Sequence, residues 1–122
     1  AFIVHGDGGL DEVSLSGPTL VQALDSGNIT EFVINPSDFG ISCEPIESIK
    51  GGDPKYNASK LEELLSGKTG PYRNIACMNA ATALVATKNE NQLIDAFKRA
   101  EHAIDTGAAK SVLNKLVQIT NS

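Results

Sequence analysis

The sequence has no tryptophan, two tyrosines and four phenylalanines. So few aromatics give no stacking platform for single-stranded nucleic acid. Cations are scarce as well: ten Lys and Arg stand against fifteen Asp and Glu, a formal net charge of -5. Neutralising a duplex requires clustered Lys and Arg, so this balance speaks against a nucleic-acid partner. Cysteine is limited to Cys43 and Cys77. That is far below the density of a small disulfide scaffold, and no Cys/His spacing resembles a zinc site. A reducing, cytoplasmic home is the expectation, with both thiols serving as small packing residues. No apolar run approaches the length of a membrane span, and none follows a basic start as a signal peptide would. No membrane partner is expected.

The 122 residues can form one domain around one core. The chain reads as β-rich up to about residue 50 and helical beyond it. "AFIVH" is a short buried strand stopped by glycine. It opens the sequence without an initiator Met, which suggests a cut inside a larger protein. "TLVQAL" and "ITEFVI" flank "DSGN", a hairpin for which a type I turn with a bulge at Gly27 is expected. "NPSDFG" reads as a turn, and residues 41–50 as an irregular connector. About four helices follow. The first starts near Asn57 as N-cap and stops at Gly67; the second begins at Pro71 and is apolar nearly all round. The third carries a Leu93, Ile94, Phe97, Ala100, Ile104 stripe, with Asn89 and Gln92 resembling a capping box, and ends at Gly107. The last presents Val112, Leu113, Leu116 and Val117 on one face.

The stretch "VHGDGGLDEVSLSGP", residues 4–18, is the first candidate for chemistry, and on its own it is equally a turn with two solvated acids. Asp11 and Glu12 are adjacent acids just past Gly6, Gly8 and Gly9. In a regular strand they would point to opposite faces. In an irregular glycine loop they can converge on a hard cation, and magnesium is held by one or two carboxylates with phosphate and water. The other reading is a surface loop with two solvated acids. His5 either supports this loop, by orienting a carboxylate or meeting a phosphate, or bonds a backbone carbonyl at a strand end. His102 reads as a surface imidazole near a helix C-terminus. Gly51-Gly52 lacks the Lys-Ser/Thr ending of a phosphate loop, so it reads as a tight turn. Asn79, polar on a helix expected to be buried, needs hydrogen-bond partners; a neighbouring backbone segment is preferred over a ligand.

The order of these stretches is more specific than any one of them. "VHGDGGLDEVSLSGPTLV", "GNITEFVINPSDFGI" and "GGDPKYNASKLEELLSGKTGPYRNIACMNAATALV" together resemble the C-terminal part of the anthranilate phosphoribosyltransferase family. The resemblance covers essentially the whole chain. It implies an α/β fold: residues 1–122 as the last portion of a larger mixed-sheet α/β domain, with the N-terminal helical domain and the phosphate-binding loop outside this chain. It implies transfer of phosphoribose from phosphoribosyl pyrophosphate to anthranilate in tryptophan biosynthesis, by a homodimeric parent. Asp11 and Glu12 match the family's acidic pair at magnesium, Glu12 serving both ions and Asp11 one. No covalent catalytic residue is implied, and the segment alone is expected to be inactive. The alternatives are a nucleoside phosphorylase-like or non-tryptophan paralogue, and a standalone binding module without chemistry.

Overall fold

The computed structural model describes all 122 residues. Three antiparallel strands lie in the order β1 (Phe2–Gly6), β2 (Thr19–Asp25), β3 (Asn28–Ile34). Phe2 pairs with Ala23 and Gly6 with Thr19; Thr19 pairs in turn with Ile34, and Asp25 with Asn28. The hairpin is tighter than its sequence suggests. Ser26 and Gly27 are its only loop residues, and both have positive φ, 52° and 83°. That is the signature of a two-residue type I′ turn, whose twist matches that of the strands, so no bulge is needed.

Strand alternation gives the sheet two unlike faces. Val21, Ala23 and Ile34 are buried on the inner face, while Ile3, Leu20, Leu24, Ile29 and Val33 stand exposed on the outer one. β1 is therefore not the fully buried strand its composition suggests, since Ile3 is 72% exposed. Phe2 and Phe32 meet edge to face across the inner surface, 5.5 Å between ring centroids.

Helices cover the inner face. α1 (Pro54–Leu65) is capped by Asp53, whose carboxylate accepts from the Tyr56 amide at 2.8 Å. The cap is not Asn57. That side chain instead closes the preceding glycine turn, accepting from the Gly52 amide and donating to the Gly52 carbonyl. Pro54 explains the earlier start, because its fixed φ and missing N–H suit a first helical position. α2 (Pro71–Ala86) begins where its proline places it and buries Ile75, Cys77, Met78 and Ala81. α3 (Leu93–Asp105) has Gln92 at its N-cap without a side-chain cap bond, so the expected Asn89 box does not form. Asn89 donates to Thr87 Oγ1 instead. Gly107, at φ 78°, turns the chain into α4 (Ala108–Thr120), none of whose side chains is buried.

One apolar cluster joins Val13 and Leu15 of the connection between β1 and β2 to Val21, Ile34, Phe39, α1, α2 and α3. Two features lock α2 to its neighbours. Arg73, only 6% exposed, makes a bidentate pair with Asp105 at 2.7 and 2.9 Å. The second is Asn79, which lies at the candidate site. No helix is long and apolar enough to cross a membrane.

Candidate metal centre

The connection between β1 and β2 doubles back on itself. Gly6 donates to the Leu10 carbonyl at 2.8 Å, and the Asp7 amide donates to the Pro18 carbonyl at 3.0 Å. Gly8 and Gly9 take φ of 77° and 79°, a region that costs any residue with a Cβ about 1–2 kcal/mol. Gly6 has a different reason to be glycine. Its φ of -85° suits any residue, but a Cβ there would press into the Glu12 carbonyl oxygen. Backbone thus runs against backbone at Glu12, with no side chain between.

Beyond the acids, polar contacts fix the returning limb. The Ser14 amide donates to Thr19 Oγ1 at 2.9 Å, and the Ser16 amide to Ser14 Oγ at 3.1 Å. Ser16 Oγ donates to Asp7 Oδ2 at 2.9 Å. Asn79 of α2 grips the same limb: its Oδ1 accepts from the Val13 amide at 2.8 Å and its Nδ2 donates to the Val13 carbonyl at 3.0 Å. Nδ2 also donates to the Ile75 carbonyl one turn back at 3.0 Å. The preferred reading of Asn79, a bond to neighbouring backbone, is the one observed.

Asp11 and Glu12 therefore sit between backbone anchored at Leu10 and at Val13, while their side chains remain exposed. No ion pair of the chain includes either carboxylate. Partial desolvation, and secondly the charge of Asp11, push the Glu12 carboxyl above the usual carboxylate range. Two neighbouring carboxylates with no Lys or Arg partner are compatible with a divalent metal, whose charge would offset the repulsion between them. The donor set suits magnesium. Carboxylate oxygens are hard donors of the kind magnesium takes, although no group of three or more His, Cys, Asp or Glu side chains that could hold an ion is present. Water and phosphate oxygens would complete such a shell.

His5 is exposed and lines a shallow groove of about 380 Å³ with the Gly6–Gly9 turn, Pro18, Leu20 and Val33. Two contributors to this corner escape sequence reasoning. Asp7 carries the Ser16 bond, and Gly17 permits it, since a Cβ there would lie 2.8 Å from Asp7 Cγ. Neither follows a periodic pattern; the only signal is the density of Gly and Ser on both sides of the acids. His102 is exposed in the last turn of α3, as a surface imidazole should be.

A family model described as "Glycosyl transferase family, a/b domain" matches residues 1–110. The chain belongs to this glycosyl transferase family. Among its relatives, the anthranilate phosphoribosyltransferase of Azospirillum brasilense is 47% identical over 122 residues, covering 100% of this chain and 34% of that protein. The anthranilate phosphoribosyltransferase of Saccharomyces cerevisiae in complex with PRPP and Mg superposes with a TM-score of 0.85 at 33% identity, over 93% of this chain and 33% of that one. The same yeast enzyme in complex with 4-fluoroanthranilate gives a TM-score of 0.86 at 34% identity, with the same coverage. This member of the glycosyl transferase family spans about a third of the length of the curated relatives it matches.

Proposed function

We propose that this chain is the C-terminal portion of the α/β domain of an anthranilate phosphoribosyltransferase. The complete protein would transfer phosphoribose from phosphoribosyl pyrophosphate to the amine of anthranilate, releasing pyrophosphate, in tryptophan biosynthesis. The observation that carries the reading is the Asp11–Glu12 pair: two unpaired carboxylates on fixed backbone in a chain of the glycosyl transferase family. Similarity to about a third of the Azospirillum enzyme, and to a third of a yeast enzyme solved with PRPP and Mg, supports the choice of substrate and metal.

In this reading Asp11 and Glu12 hold magnesium. The bound metal would offset the negative charge that builds on departing pyrophosphate as the sugar carbon becomes cationic. The remaining contribution of this chain is geometric. Gly6 and the 7–9 turn let backbone approach a bulky phosphate, and the Ser14, Ser16, Thr19 and Asn79 contacts keep the two acids from rearranging as charge shifts. Preorganisation of this kind lowers a barrier without a covalent protein intermediate. The phosphate loop and the anthranilate contacts belong to the rest of the protein, so the segment alone is inactive. The parent acts as a cytoplasmic homodimer.

The test is a paired substitution in the complete protein. Asp11→Asn with Glu12→Gln should abolish magnesium-dependent formation of phosphoribosyl anthranilate. Unchanged rate and metal dependence would refute the assignment. Phosphorolysis of a nucleoside by the unsubstituted protein, without transfer to anthranilate, would place it with a paralogous activity.

A further inference from the structure

We infer that Asn79 is a positioning residue for the metal carboxylates: by clamping both backbone polar groups of Val13 it sets where Glu12 points. The inference rests on the metal reading above and extends it to a residue on a different element.

The geometry separates this role from ordinary helix packing. Val13 follows Glu12 directly and is 1% exposed, so its N–H and C=O have no water to turn to. Neither joins the sheet, because β1 has ended at Gly6 and β2 begins at Thr19. Both are instead satisfied by the one amide of Asn79, at 2.8 and 3.0 Å. That amide is itself fixed by its bond to the Ile75 carbonyl at 3.0 Å. Its two donors and its acceptor are thus engaged together in one arrangement. On the opposite side of Glu12, Gly6 backs the Glu12 carbonyl. Glu12 lies between strand β1 and the Val13 clamp from helix α2, and its exposed carboxylate is in no ion pair.

Only an amide of this length serves. Asp cannot donate to the Val13 carbonyl, and Ala leaves both Val13 groups bare. Gln keeps the donor and acceptor but moves them one methylene outward, so it stays bonded while displacing Val13 and Glu12. A polar partner lying behind metal ligands affects affinity by about tenfold to a hundredfold when it is altered.

The experiment uses the complete protein that carries this segment, with Mn2+ as an electron paramagnetic resonance probe titrated into the unsubstituted, Asn79→Gln and Asn79→Ala forms. Melting temperatures without metal, and the Mg2+ concentration for half-maximal transferase rate, are measured alongside. Positioning predicts a Mn2+ dissociation constant raised about tenfold in Asn79→Gln and more in Asn79→Ala. The half-activating Mg2+ concentration should rise in parallel, with KM for anthranilate unchanged. A folded Asn79→Gln that binds Mn2+ like the unsubstituted protein overturns the inference. So does an unfolded one, because Asn79 would then serve the fold and not the site. If the unsubstituted protein binds neither Mn2+ nor Mg2+, the metal reading itself fails; that outcome is distinct from normal binding left unmoved by the substitutions.

Discussion

Gly6→Ala is the sharpest probe of how tightly the acidic corner is built. The backbone at Gly6, φ -85° and ψ 153°, is open to any residue, so alanine meets no dihedral strain. Restricting the unfolded chain would by itself stabilise the variant by about 0.4–1 kcal/mol. The new methyl, however, meets the Glu12 carbonyl oxygen head on, with Ser14 Cβ at 3.0 Å and Leu10 Cβ at 3.2 Å. The oxygen is backbone and cannot rotate away, so strand and loop must separate by roughly 1 Å to reach ordinary contact. Overpacking of this kind costs about 1–3 kcal/mol. The net expectation is a loss of about 1–2 kcal/mol, or a melting temperature lower by about 3–10 °C for a domain of this size. Gly9→Ala is the control. It carries positive φ but no neighbour within 4 Å, so it should lose stability through strain without moving Glu12. Thermal melts followed by circular dichroism decide the matter. A Gly6→Ala protein that melts at or above the parent temperature would refute the backbone-on-backbone contact, and with it the claim that Glu12 is held from the β1 side.

Other consequences are equally open to measurement. Asp53→Ala should destabilise by about 1 kcal/mol in urea denaturation, through loss of the α1 cap. The Arg73 guanidinium, chiefly by hydrogen bonding, holds the Asp105 carboxyl below its ordinary range, so this pair stabilises the fold above the unfolded carboxylate pKa of about 4 and is lost as pH falls through the lowered value. Asp105→Asn should therefore flatten the acid side of the melting-temperature profile while lowering its neutral plateau. Burial pushes the Cys77 thiol up to about 11, whereas Cys43 is exposed. A disulfide reagent at neutral pH should titrate one thiol in the native protein and both after denaturation. Partial desolvation and Asp11 raise the Glu12 carboxyl, so this group costs stability once pH rises past its unfolded pKa. Without divalent metal, Glu12→Gln should raise the melting temperature at neutral pH, and the gain should vanish in acid.

Much of this architecture is legible in the residues, for identifiable reasons. Pro71 marks a helix start and Gly107 a helix end because their backbones permit little else or uniquely much. The polar position of Asn79 in an apolar helix announces a partner, though not which backbone segment supplies it. What stays hidden involves choices between equivalent short polar side chains. Asp53 and Asn57 are both good caps, and only the Pro54 between them decides. The 36–39 turn looks like a plain loop, yet Asn35 and Asp38 close it as a capping box in a short 3-10 helix. β1 misleads in another way, since its apolar run reads as buried on both faces although one is open. Of the acidic corner, the two carboxylates can be picked out, but the Asp7–Ser16 bond and the Val13 clamp depend on contacts across 9 and 66 residues, which no local pattern encodes.

The Ser26-Gly27 turn joins the hairpin at the end of β2 away from Thr19, where the acidic connection arrives. Its side of the sheet is tied to the helices by the surface pair Lys88–Asp25, not by anything that reaches the carboxylates. A spectroscopic reporter or short epitope spliced between residues 26 and 27 would ride on a stiff two-strand lever and leave the Asp11–Glu12 loop undisturbed.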